Sequence, residues 1–509
     1  MTTTLELRVR PEVAYDAARL RSVAAESLDI APREITQVRI VRRSIDARQR
    51  NVMVNLGVQI WVGEQPTELA YTPIRYGDVA RAPQAVVVGA GPAGLFAALR
   101  LIELGVRPVV LERGCDVDGR KKDIAAIART GTVNPESNYS FGEGGAGAFS
   151  DGKLYTLSKK RGNVARILGI FCQHGAATDI LADAHPAAMR RQIIESGGEV
   201  HFRTRVDALL FSADGQRVEG VRTAGGDEWK GPVVLATGHS ARDVYRYLHA
   251  AGVEIEQKGV AMGVRLEHPA HLIDQIQYHN REGRGRYIPA AEYAFVQKVN
   301  GRGVYSFCMC PGGYVVNASS EAGGTVVNGM SYADRGSANA NAAIIVSVGP
   351  EDFLRYGEGV LAGLSYQEVL ERRAYQAGQG HIPVQLYGDF IAKRESRAFG
   401  GTEPCFAGQY RLAALNGILD APLEEAFLEG MASFGRQIKD FDAPDVILAG
   451  VESRTSSPIR ILRDSELQAN IQGFYPCGEG AGYAGGITSA AMDGIRVAEA
   501  VIARYTPKY

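Results

Sequence analysis

Within residues 85–112 a strand, a glycine turn, a helix, a second strand and an acid follow one another, and that order leaves few folds open. Val86 to Val88 run into Gly89-Ala90-Gly91-Pro92-Ala93-Gly94. An apolar helical stretch comes next, closed by Gly105, and Val109-Val110-Leu111 ends on Glu112. Each part has a physical task in a dinucleotide site. Gly89 permits the tight turn, Gly91 lets the backbone approach a pyrophosphate, and Gly94 lets helix and strand pack closely. The helix N-terminus offers unpaired N–H groups and a partial positive charge to phosphates. Glu112 is placed to accept hydrogen bonds from ribose hydroxyls and would repel a 2′-phosphate, which disfavours NADP at this site.

The remaining 509-residue chain reads as an α/β protein of several parts. Residues 1–80 carry a strand, a helix over 12–28 and two further strands. This is a small α+β unit of ferredoxin-like form, ended by Pro73 and the Arg81-Ala-Pro83 linker. Residues 84–254 hold the Rossmann-like first part of the nucleotide domain, with helices near 164–173 and 187–196, a strand over 199–210 and a hairpin to 217–223. Residues 255–440 mix short strands and loops as an inserted substrate or cap domain, and 441–509 return to the nucleotide domain, with a helix from about 488 to 503.

Charge and composition narrow the function. A formal net charge of −1 gives no global case for nucleic acid or an anionic membrane, although Arg39, Arg42, Arg43, Arg48 and Arg50 make the first unit locally basic. A solvated strand face is the plainer account of those arginines. No apolar run reaches membrane-spanning length, and MTTTLELRVRPE lacks a signal pattern, so the expected location is cytoplasmic. Six cysteines include no C-x-x-C, and no histidine spacing suggests a metal. Cys308-Met-Cys310 is the close pair; it reads as two buried thiols on a strand, with redox activity as the alternative.

Three segments favour a flavin over NAD. Leu235-Ala236-Thr237-Gly238 is a strand end whose glycine can approach a nucleotide. Gly478-Glu479-Gly-Ala-Gly-Tyr-Ala-Gly485-Gly486-Ile487 sits before the last helix, whose N-terminus could face the anionic edge of a reduced ring. Gly142 to Gly147, including Gly144, Gly145 and Ala146, leave room for a flat ring.

These blocks resemble the two-dinucleotide-binding-domain flavoproteins of the glutathione-reductase-like superfamily. Ser44-Ile-Asp-Ala-Arg48, Phe141 to Lys153, Cys308 to Gly313 and Arg454-Thr-Ser-Ser-Pro458 resemble, more narrowly, the bacterial uncharacterised FAD-dependent dehydrogenases. The resemblance implies bound FAD. By motif it places Gly89 to Gly94 at the pyrophosphate and Glu112 at the adenosine ribose. Arg113 and Arg120 would lie near ribose or phosphate, with Val206 at adenine. Ala236 to Gly238 would line the adenosine side, Gly478 and Glu479 the ribityl chain and pyrophosphate, and Gly485, Gly486 and Ile487 the ring. One departure stands out: Ala184-His185-Pro-Ala-Ala-Met189 runs straight through where the family carries a Pro-His-Ile-Gly-Thr block.

Flavin chemistry asks the protein to place the substrate and handle protons. Glu143, Asp151, Lys153 and Arg454 are the candidates, with loop solvation or ordinary flavin contact the plainer role for the first three. His239, Arg335, His381 and Tyr387 have only residue type or position in their favour. There is no second strand–turn–helix–strand–acid unit, so NAD(P)H, if it is the transient electron donor, must dock beside the flavin. The leading expectation is an FAD-dependent oxidoreductase passing a hydride between flavin N5 and a small organic molecule. A flavin monooxygenase and a non-catalytic redox-sensing module with a partner-binding N-terminal unit are the alternatives.

Overall fold

The computed structural model describes residues 1–49, 51–65, 71–148, 162–176, 186–332 and 334–504. In the first unit, strands Thr2–Val9, Ile35–Asp46 and Met53–Val62 form one sheet, with the last strand central and antiparallel to both others. This is a split β-α-β arrangement, and within the described residues the ferredoxin-like expectation reaches no further than that half. The helix expected over 12–28 is two, Pro11–Ala14 and Ala17–Ser27. Asp16 interrupts it because its carboxylate caps the second helix, accepting from Ala18 and Arg19 N–H at 3.0 Å. Tyr15, Ile45, Ala47 and Val52 of this unit pack against the core of the inserted domain.

The nucleotide domain is a five-stranded parallel sheet in the order Phe474–Pro476, Val233–Leu235, Gln84–Val88, Arg107–Leu111, Glu199–His201. Its apolar strands are covered on both faces, as parallel sheets require. Val87 and Val110 face a core with Leu95, Phe96 and Val497 from helices Pro92–Glu103 and Ile487–Arg504. Val86 and Val88 face a second core with Leu209 and Val221 of the antiparallel meander Val206–Phe211, Val218–Thr223, Glu228–Lys230. The strand expected over 199–210 is therefore two strands in different sheets. The chain turns between them at Arg203, which takes a left-handed φ of 55°.

Strands Ile255–Gln257 and Ile459–Ile461 pair antiparallel and carry the chain out to the insertion and back. The insertion is a seven-stranded sheet in the order Val296–Val299, Arg302–Cys310, Asn339–Val348, Val260–Pro269, Ile447–Glu452, Ile382–Leu386, Tyr410–Leu412. A smaller sheet of Val327–Ser331, Gly313–Asn317 and Phe406–Ala407 lies with it. The boundary expected at 440 is corrected by this topology, since Ile447–Glu452 is an internal strand of the insertion, paired to Val260–Pro269 and Ile382–Leu386. All six of its residues are buried, so the strand lacks the alternation that would have marked it.

Candidate cofactor and substrate cleft

A cleft of 960 Å³ opens where Val88, Leu111 and Leu235 end their parallel strands, the end at which such sheets bind nucleotides. Its lining brings together Gly89, Gly91, Pro92, Ala93, Glu112, Arg113, Gly145, Ala146, Gly147, Val206, Ala236, Thr237, Gly238, Glu479, Gly485, Gly486 and Ile487. Segments up to 398 positions apart in sequence thus meet on one surface. Ala90, Gly94, Arg120, Gly144 and Gly478 are absent from that lining. They lie behind it and shape it.

Three glycines explain the shape. A Cβ on Gly89, at φ 107°, would stand 2.5 Å from the Ala236 carbonyl oxygen, and one on Gly94 would stand 1.9 Å from the Gly89 oxygen. Those contacts lock the turn onto the sheet. A Cβ on Gly91 would meet nothing nearer than Gly145 Cα at 4.0 Å, so its open side belongs to the cleft. Gly91 is also the N-cap of helix Pro92–Glu103, with Pro92 at the first helical position. The second helix, Ile487–Arg504, brings its own N-terminus to the same cleft through Ile487 and Ala490. The two helices approach closely because a Cβ on Gly494 would lie 2.2 Å from the Ala93 oxygen.

Glu112 is buried at 5% exposure and ties three backbone segments. Oε2 accepts from Ala90 N–H at 2.7 Å, and Oε1 accepts from Gly114 and Gly142 N–H at 2.9 Å each. A carboxylate offers about four lone pairs, so acceptor capacity is left on the cleft side. Arg113 spends its guanidinium on Glu136, at 2.8 and 3.1 Å, and on Asp243 at 3.1 Å, and covers the Phe141 ring. Arg120 does not line the cleft as expected. It is fully buried beneath the loop, donating to the carbonyls of Asn138, Glu143 and Tyr139 at 2.8, 2.8 and 2.7 Å. Gly144 donates to the Ala90 carbonyl at 2.8 Å and so pins the same loop to the dinucleotide turn.

The catalytic candidates separate sharply. Glu143 turns away from the cleft: its carboxylate accepts from Val117 N–H at 2.9 Å and lies 3.3 Å from Arg190, and burial raises its pKa. Asp151, Lys153, Ala184 and His185 lie outside the described residues. Arg454 lines the cleft and grips buried Glu371 with two parallel bonds of 2.9 and 2.8 Å, while its third edge reaches Ser320 Oγ. Glu371 also takes Arg242 at 2.5 Å and Ser453 at 2.8 Å. Burial alone would push the Glu371 carboxyl up, yet Arg242 and Arg454 outweigh it and hold it well below the usual carboxylate range. His239 lines the cleft beside this pair, lowered to about 4 by burial and then by the charges of Arg454, Lys258 and Arg242. Glu479 stands 3.9 Å from it, raised to about 7 by burial against the opposing charge of Lys258. Tyr387 is buried in the insertion's core, His381 bonds Gln409 at 2.7 Å on the surface, and Arg335 pairs with Glu292 at 2.8 Å; none of the three lines the cleft.

The far wall comes from the insertion. Phe307, Cys308, Cys310, Val316, Ala318, Asn328, Gly329, Met330 and Glu452 line it there. Behind them Arg265, fully buried, binds Glu452 at 3.0 and 3.2 Å, the Cys308 carbonyl at 3.2 Å and Asn341 Oδ1 at 2.8 Å.

Two family models name the cofactor of such a chain. Residues 83–148 match the model of an FAD binding domain, and 259–455 match that of an FAD-dependent protein, C-terminal domain-like. Residues 1–61 match a domain of unknown function. An uncharacterised protein of Clostridium beijerinckii is 39% identical over 96% of this chain and 96% of its own. The chain belongs to this family of FAD-dependent proteins. The flavoprotein's likeness to solved structures is slight. A flavin-dependent brominase is 12% identical over 83% of this chain and 80% of its own, with a TM-score of 0.36. A geranylgeranyl bacteriochlorophyll reductase-like protein of Thermoplasma acidophilum is 12% identical over 83% and 79%, with a TM-score of 0.33. At those scores neither carries an argument about this chain.

The cofactor is FAD. The residues present fit that group: a Cβ on Gly485 or Gly486 would meet no atom within 4 Å, as at a floor kept clear for a flat ring. Sequence reasoning missed Arg242, Arg265, Glu371 and Glu452, which build the charged back of the cleft, and Arg463–Asp493, which holds the Gly478 loop. Asp493 accepts from Arg463 at 2.9 and 3.1 Å and from Gly478 N–H at 2.8 Å. Such residues carry no local motif, since each pair is closed only by folding. Among the described residues no cluster suits a metal, and no helix is long and apolar enough to cross a membrane.

Proposed function

We propose that the flavoprotein transfers a hydride between FAD and a small organic substrate held between the glycine floor and the wall supplied by the insertion. A single observation supports this most: one continuous cleft is lined at one side by the dinucleotide turn and at the other by Phe307, Val316, Ala318 and Met330. That gives room for a nucleotide and, beyond it, an apolar site with a few polar groups, the usual make-up of a small-molecule pocket. When bound, FAD supplies the hydride chemistry at N5.

In this reading Gly89, Gly91 and the N-terminus of Pro92–Glu103 receive the pyrophosphate, Glu112 the adenosine ribose, and Val206 the adenine. Gly485, Gly486 and Ile487, at the N-terminus of the last helix, face the ring. Arg454, fixed by Glu371 and Ser320, puts a guanidinium at the cleft wall where an anionic group of substrate or ring would meet it. His239 is neutral at physiological pH, so it can donate or accept a hydrogen bond there without adding charge. The finer placing within the glutathione-reductase-like superfamily, the dehydrogenase direction and NAD(P)H as a transient donor belong to this same reading.

An anaerobic absorbance titration of the FAD-loaded protein tests it. One of NADH, NADPH or a panel of small metabolites should bleach the oxidised flavin band stoichiometrically. Bleaching by none of them, in protein that dithionite does reduce, would remove the hydride-transfer reading. Oxygen found in the product on readmission of air would turn it toward a monooxygenase.

A further inference from the structure

Strand Arg302–Cys310 ends at the cleft. Met309 is buried in the insertion's core, while Cys308 and Cys310 both line the cleft. The two cysteines are separated by one residue and share the same wall of the cleft. The segment is not ordinary strand. Its register against Asn339–Val348 shifts between Phe307 and Cys310, and Cys308 holds a φ of 48°. Such irregularities gather where a strand re-aims side chains at a site. The Cys310 sulfur lies 3.5 Å from the Cys308 carbonyl oxygen, so the two residues fold onto one another. Directly behind, the Arg265 guanidinium donates to that same carbonyl at 3.2 Å, with Glu452 on its other edge.

We propose that Cys308 and Cys310 form a redox-active dithiol that exchanges two electrons with FAD inside the cleft, a role that rests on the cofactor lying where the proposed function puts it. In the oxidative direction both S–H bonds break and one S–S bond forms. The two electrons and two protons pass to the oxidised flavin. In the reverse direction the reduced flavin, charged by the organic substrate, returns them and the S–S bond opens. The pair is then a second two-electron store beside the cofactor.

Anaerobic dithionite titration of the air-oxidised, FAD-loaded protein reads the capacity directly. The proposal expects about four electrons per FAD, against about two for a flavin alone. Alkylation followed by mass spectrometry should find Cys308 and Cys310 blocked in the oxidised protein and both modified after reduction, with the other four cysteines unchanged between the two states. Uptake of about two electrons, with both thiols modified in the oxidised protein, would overturn the proposal. Cys308→Ser and Cys310→Ser should each bring the uptake down to about two while keeping the flavin spectrum. Should either serine variant fail to hold FAD, the wild-type titration and alkylation decide alone. Failure of the hydride-transfer reading looks different: dithionite would still deliver about four electrons, but no organic substrate would bleach the flavin.

Discussion

Glu112 and Ala90 are joined by a 2.7 Å hydrogen bond, so the acid ending one strand of the dinucleotide unit is fastened to the glycine turn that ends the other. The same carboxylate accepts from Gly114 and Gly142 at 2.9 Å. Glutamine at position 112 would keep one oxygen and turn an amide NH₂ toward backbone donors that need an acceptor. Glu112→Gln should therefore cost about 1–3 kcal/mol in stability and weaken FAD binding by about tenfold or more. Urea denaturation and a fluorescence titration with FAD measure the two effects. An unchanged denaturation midpoint would show that the carboxylate does not tie the three segments.

The glycines of the turn should separate by experiment. Gly94→Ala puts a methyl 1.9 Å from the Gly89 oxygen, a backbone atom that cannot step aside, so the fold itself should lose about 1–3 kcal/mol. Gly91→Ala meets nothing closer than 4.0 Å and keeps an ordinary φ of −78°. The FAD-stripped variant should match wild type within about 0.5 kcal/mol, yet its methyl stands in the cleft, and FAD affinity should fall by about tenfold or more. Thermal unfolding with and without FAD distinguishes the two. Equal loss in both states for Gly91→Ala would contradict a cleft-facing position.

What was legible in the chain follows from how local each signal is. The dinucleotide turn is readable because strand, glycines, helix and acid must be contiguous to do their work. The all-apolar runs Val86–Val88 and Val109–Leu111 announce strands covered on both faces. The strand Ile447–Glu452 was hidden by full burial, and Asp16 was hidden inside a helical periodicity that its own capping interrupts. Arg120 shows the opposite error. The family resemblance put it near ribose or phosphate, but a guanidinium buried among Asn138, Tyr139 and Glu143 carbonyls is a loop brace, and only the fold brings those carbonyls to it. The Arg242–Glu371–Arg454 cluster joins the nucleotide domain to the insertion over more than two hundred residues of chain, beyond the reach of any spacing rule.

That cluster predicts a large stability effect. Glu371 is the one carboxylate shared by Arg242 and Arg454, and Arg242 is itself 1% exposed. Glu371→Gln takes from Arg454 the carboxylate that it grips, while Arg242 keeps Glu321 at 2.8 Å, and breaking one side of such a buried pair costs about 3–5 kcal/mol. The pH dependence has a definite sign. The folded carboxyl is held below its unfolded value, so its contribution is complete above the ordinary carboxylate range and is lost as pH falls through that range and below. The stability gap between wild type and Glu371→Gln should thus narrow on acidification, as read by denaturant midpoints from pH 7 to pH 3. A gap that stays constant would mean that the folded and unfolded carboxyls titrate alike, so that Arg242 and Arg454 do not hold the proton off Glu371.

Glu479 should behave in the opposite sense. Burial raises its folded pKa to about 7 although a quarter of the side chain faces the cleft. Below the unfolded carboxyl value of about 4.3, folded and unfolded chains both hold the proton and nothing is lost. Between that value and about 7 the folded state keeps a proton that the unfolded state has released, so stability falls as pH rises, and the loss is complete above 7. Glu479→Gln never ionises and escapes it. The melting temperature of FAD-stripped Glu479→Gln should therefore exceed that of wild type by a margin that grows from pH 5 to pH 8. His239, lowered to about 4, contributes on the acid side as pH falls below its unfolded value of about 6.5, and it does so in both proteins, so it cancels from the difference. A margin flat across that range would show that Glu479 is already ionised in the cleft, where it would then face the cofactor as a charge and not as a hydrogen-bond donor.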